Sequence, residues 1–75
     1  MVKKDYVLTG HAKARMQDRG ISEEEIEVVL KEPEISYPGR QGETNVIKTI
    51  NGRRIRVSFV MGGKKKKIIT AMILT

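Results

Sequence analysis

The chain has 75 residues with 15 lysines and arginines, nine aspartates and glutamates, one histidine and no cysteine, for a net charge of +6. These numbers exclude disulfides, a thiolate zinc centre and a histidine-rich metal site, and they call for no metal and no cofactor. They leave room for one domain, 1–75, around one modest core.

The N-terminus carries charges without the apolar stretch of a secretory signal. No run approaches the ~18 apolar residues of a membrane span. A cytoplasmic location with no membrane partner is the expectation. The charge is unevenly placed. Residues 1–21 sum to +3, residues 22–34 to −5 and residues 35–75 to +8. One acidic element on a basic body suits an anionic partner, with nucleic acid first. A surface tuned only for solubility explains the same numbers.

In chain order, residues 3–8 read as a short strand or an irregular lead-in. A first helix follows over residues 11–19. Thr9 is its N-cap, Gly20 the left-handed residue that stops it, and Arg19 a cation in the last turn. The second helix starts at Ser22, whose spacing to Glu25 is a capping box, with Glu23 and Glu24 at the positive helix end. Ile26, Val29 and Leu30 form its apolar stripe, and Pro33 ends it. Its glutamates read as capping and solvent-facing groups.

After Pro33 the period becomes alternating. Residues 35–37 read as a short strand, residues 38–42 as a turn-rich loop and residues 45–50 as a strand. Asn51-Gly52 predicts a type I′ hairpin turn. The partner strand is 53–61, and a two-residue turn sets Ile50 opposite Arg53, Thr49 opposite Arg54, Ile47 opposite Arg56 and Val46 opposite Val57. Val46, Ile50, Ile55, Val57 and Phe59 then face the helices, and Lys48 interrupts that face. Gly62-Gly63 opens a second turn. The last strand, 68–74, is apolar on both faces, which fits a central strand or one covered by another chain. The fold class is α+β, with two N-terminal helices packed on one face of a three- to four-stranded antiparallel sheet.

Two constellations could carry function. His11, Arg15 and Arg19 recur at i, i+4, i+8, along one side of the first helix. A histidine beside arginines suits metal-independent RNA cleavage, with His11 moving the proton and the arginines stabilising the phosphate. The bland reading makes His11 a helix-end residue and pairs both arginines with glutamates of the second helix. The other constellation is Arg53, Arg54 and Arg56 with Lys64, Lys65, Lys66 and Lys67, which the hairpins gather to grip a phosphate backbone. Protection of sheet edges by lysine explains these equally. Tyr6, Tyr37 and Phe59 are the aromatics, so stacking on bases has little support. No triad elbow and no phosphate loop is present.

The run from His11 to Ser22, with its histidine, its arginine four residues on and its Arg19-Gly20-Ile21 turn, resembles the signature of a family of small prokaryotic proteins, the domain of unknown function 4258. The Ile55-Arg56-Val57 strand and the closing Ile68-Ile69-Thr70 resemble it too. The order helix, helix, sheet is similar to the RelE/ParE-like toxin superfamily, whose ribonuclease members cut messenger RNA without metal. The resemblance implies a RelE-like fold and RNA as partner. It points to His11 and Arg15, then Arg19, and more weakly to Arg56 and Thr70. The rival reading is a non-catalytic interaction module that meets an antitoxin-like protein, or itself as a homodimer, through the apolar C-terminal strand.

Overall fold

The computed structural model describes residues 5–74. The elements run β1 (Tyr6–Leu8), α1 (Gly10–Arg19), α2 (Glu23–Lys31), β2 (Ile35–Pro38), β3 (Thr44–Ile50), β4 (Arg53–Gly62) and β5 (Lys65–Ile73). Of the lead-in expected over residues 3–8, residues 3 and 4 lie outside the described residues.

Both helix starts follow the local chemistry. The Thr9 hydroxyl accepts from the Ala12 amide, and Gly20 at φ 64° ends α1 by donating to carbonyls of the last turn. Ser22 and Glu25 close the capping box of α2 in both directions. The Asn51-Gly52 turn has positive φ at both residues, 51° and 80°, as a type I′ turn requires. The pairing of β3 with β4 is the expected one at every named pair, Ile50 with Arg53 through Val46 with Val57.

The sheet departs from expectation in two respects. It has five strands in the order β1-β5-β4-β3-β2, and it is mixed, because β1 pairs with β5 in parallel. A three-residue strand whose partner lies some sixty positions away leaves no local pattern to read. Thr9 fixes the junction: its hydroxyl donates to the Ile68 carbonyl at 2.8 Å. β5 is therefore flanked by β1 and β4, which accounts for its apolar character within the chain. A second chain could pair along the whole of β5 only by displacing β1.

A register shift at Ser58/Phe59 sets Phe59 opposite Ile68 and Ser58 opposite Thr70, so Ile69 is an extra residue in β5. The bulge changes the phase of the strand. Ile68, Ala71 and Ile73 face the helices, and Lys65, Lys67, Thr70 and Met72 take the other side.

The core lies between the helices and one face of the sheet. Ala12, Met16, Ile26, Val29 and Leu30 pack there on Tyr6, Val46, Ile55, Val57, Phe59, Ile68 and Ala71. Lys48 keeps its place on this face, opposite Ile55. At the rim, Tyr6 Oη donates to Glu23 Oε1 at 2.8 Å, and burial followed by the Glu23 contact pushes the phenol well above its ordinary pKa.

Arg53 joins both helices to the sheet. Its Nη1 donates to the Gly20 carbonyl at 3.0 Å, at the negative end of α1. Its Nη2 meets Glu25 Oε2 at 2.5 Å. The Glu25 carboxyl is held below its usual value, first by the Ser22 backbone amide and, against a burial penalty, by Arg53. A carboxylate lowered in the folded state contributes stability above its unfolded pKa, and that contribution is lost as pH falls through the folded pKa. The acid limb of a Tm-versus-pH curve should therefore flatten in Glu25→Gln, and the variant should already be less stable at pH 7. An acid limb unchanged by the substitution would refute the assignment.

Candidate nucleic-acid interface

Strand residues alternate between faces, so the register assigns every side chain to one side of the sheet. The side away from α1 and α2 is covered by no element among the described residues. It is built in rows across the strands. Tyr37, Asn45, Ser58 and Thr70 form one row. Ile35, Ile47, Arg56 and Met72 form the next. Thr49 and Arg54 lie beyond it. On the other flank Val60 stands opposite Lys67, which pairs in turn with Val7, and Gly62 stands opposite Lys65.

The uncovered face is polar but ordered. Asn45 and Ser58 are buried although no helix covers them, and the Ser58 hydroxyl donates to Asn45 Oδ1 at 2.6 Å. Ile47, also buried, stands outside the main core. Its cross-strand neighbours Ile35 and Arg56 shield it. Tyr37 presents its ring at the sheet edge, 37% exposed, and Ile35 is 43% exposed. Thr49 fixes the hairpin side by donating its backbone N–H to Glu34 Oε1 at 2.7 Å. That bond, first, holds the Glu34 carboxyl below its usual value.

Arg56 is the unusual group. It is half-buried. Its Nη2 approaches Met72 Sδ at 2.8 Å, and a thioether is a weak acceptor. Its Nε is buried with no hydrogen-bond partner. A guanidinium normally meets carboxylate or phosphate through paired donors. Here the register sets it on the uncovered face, and packing encloses its Nε.

The basic constellation expected from sequence is therefore divided. Arg54, Arg56, Lys65 and Lys67 share the uncovered face. Arg53 faces the helices and is committed to Glu25 and the end of α1. Lys66 also faces the helices, with Nζ 5.2 Å from the Phe59 ring centroid. Lys64 sits in the β4–β5 turn. No strand position that the register places on the uncovered face is Asp or Glu.

His11, Arg15 and Arg19 lie along α1 as their spacing requires. His11 is exposed, and Arg15 Nε lies 3.4 Å from its Nε2. α1 packs through Ala12 and Met16 on one face of the sheet, and Arg56 and Thr70 stand on the other. The guanidinium that meets an α2 carboxylate in the bland reading's place is that of Arg53. Sequence reasoning did not single out Asn45 or the role of Tyr37. The pairing of Tyr37 with Asn45 depends on the β2–β3 register, and a four-residue strand before a turn-rich loop leaves that register open.

Among the described residues no cluster of His, Asp or Glu could hold a metal ion, and no helix is long and apolar enough to cross a membrane. The family model described as Domain of unknown function (DUF4258) matches residues 8–73. No curated protein and no solved structure matches the chain.

Proposed function

We propose that this chain, which belongs to the DUF4258 family, is an RNA-binding domain that holds the phosphodiester backbone against the uncovered face of its sheet. One observation carries the reading. Arg56, Lys65 and Lys67 share that face with Arg54, which has the Glu34 carboxylate near it, while the acidic helix α2 lies on the opposite side. A cationic face of this kind attracts a polyanion.

The two helices between β1 and the four remaining strands support kinship with RelE/ParE-like toxins, and with it RNA as the polyanion. Fold kinship does not supply an activity. Metal-independent cleavage would need His11 beside the bound phosphate, and α1, which carries His11, packs on the other face of the sheet. The function supported best is binding without cleavage at His11.

The test incubates the protein with RNA in EDTA at low salt, beside His11→Ala. Retention of RNA by both proteins, with no His11-dependent cleavage, is expected. No binding even at low salt, where electrostatic affinity is greatest, would overturn the reading. Cleavage that disappears in His11→Ala would move the site to α1 and restore the ribonuclease mechanism.

A further inference from the structure

Resting on the RNA-binding reading, we infer that the uncovered face takes a single strand rather than a duplex, with a base stacked on Tyr37 and a phosphate seated on Arg56. Three observations lead there.

The first is the state of Arg56. It is half-buried, its Nε is enclosed without a partner, and its Nη2 lies against Met72 Sδ rather than an oxygen acceptor. Phosphate supplies acceptors that suit the guanidinium fork. The neighbouring row gives Ser58 and Thr70, and Ser58 is locked to Asn45. The floor beneath a bound phosphate is therefore fixed before binding.

The second is the apolar part of the same face. Tyr37 and Ile35 stand exposed at the β2 edge. A duplex turns its phosphates outward and its bases inward, so these side chains would meet nothing complementary. A single strand offers the π-face of each base, and stacking on an aromatic ring is tolerant of sequence. Tyr37 and Arg56 are two strands and one row apart, about 12 Å by sheet geometry. A short stretch of strand therefore reaches both.

The third is shape. Grooves of double helices admit a helix or a narrow two-stranded ribbon, and the A-form major groove admits neither. Both helices of this chain lie behind the sheet, and the basic side chains spread over a broad face. Such a face can contact a duplex only along its phosphates.

The experiment is fluorescence anisotropy at about 50 mM salt, with a labelled unstructured RNA oligomer and the same oligomer annealed to its complement. The full chain is compared with Tyr37→Leu, Tyr37→Phe and Arg56→Lys, each checked for folding by circular dichroism. The single strand should bind at least about tenfold tighter than the duplex. Tyr37→Leu should weaken the single strand about tenfold and leave the duplex within about twofold, and Tyr37→Phe should restore binding. Arg56→Lys keeps the charge but loses the planar fork, and should weaken the single strand several-fold. A duplex bound as tightly as the single strand, or a Tyr37→Leu variant that binds both normally, overturns the single-strand inference and leaves the RNA-binding reading standing. Failure of the full chain to bind either RNA overturns both.

Discussion

Ile55→Ala should lower Tm by about 10–30 °C, and it should leave part of the population unfolded at 37 °C. Ile55 is fully buried and sits on β4, which pairs with β3 on one side and β5 on the other. Its side chain packs in the cluster formed with α1 and α2. Truncating a buried isoleucine to alanine costs about 2–5 kcal/mol, the transfer term plus the cavity. A chain of this length holds roughly 4–11 kcal/mol of total stability at the usual per-residue value. Each kcal/mol moves Tm by about 4–8 °C in a domain of this size. Little can relax into the space, because the strand is pinned on both edges. The comparison is Ile35→Ala, on edge strand β2, where the side chain is 43% exposed. That change should cost about 1 kcal/mol or less. Thermal unfolding followed by circular dichroism measures both. Equal losses would mean that the uncovered face contributes as much to stability as the core.

The contrast between these two isoleucines also marks how far the sequence alone reaches. Local chemistry announced itself: the Ser22–Glu25 box, the Gly20 stop and the Asn51-Gly52 turn each act within four or five residues. The β3–β4 register followed from that turn, so Arg54 and Arg56 could be placed on the face opposite Ile55 and Val57. Features set by distant parts of the chain were not legible. The parallel pairing of β1 joins Tyr6 to Lys66 across sixty positions, and nothing near Tyr6 encodes it. The bulge at Ile69 moved Thr70 and Met72 to the uncovered face, whereas simple alternation through Ile68 would have put them under the helices. The strand that looked apolar on both sides is a phase-shifted strand between two neighbours. The basic constellation is divided for a related reason. Seven cations close in sequence looked equivalent, but alternation in β4 turned Arg53 to the helix side. There Glu25, an i+3 capping residue already fixed by Ser22, was waiting for a cation. The family resemblance through His11 to Ser22 marked true kinship. The residues it marked are also those that cap and stop α1, so the signature is explained in part by folding.

Replacing Lys65 and Lys67 together by glutamine should weaken RNA binding about 70-fold at 50 mM salt. Both lysines are exposed and both stand on the uncovered face, opposite Gly62 and Val60. Their loss therefore tests the interface without disturbing the core. On a single strand each phosphate contact contributes a slope of about −0.7 in log K against log salt. Relative to a 1 M reference, one contact is then worth about eightfold at 50 mM, and two contacts multiply to about 70-fold. The same arithmetic fixes the form of the result. The variant's salt slope should be shallower by about 1.4, and its binding line should meet that of the full chain near 1 M. A loss of affinity with an unchanged slope would mean that the lysines act through structure rather than through phosphate. The matched control is Lys13→Gln with Lys31→Gln, two exposed lysines on α1 and α2. It removes the same net charge from the helix side. If the uncovered face is the interface, the control should lose only the few-fold expected from long-range attraction, which vanishes beyond a Debye length of about 10 Å as salt reaches 0.1 M. If the two double variants lose affinity equally, with equal change of slope, the protein attracts RNA by net charge alone and the sheet face has no special part in binding.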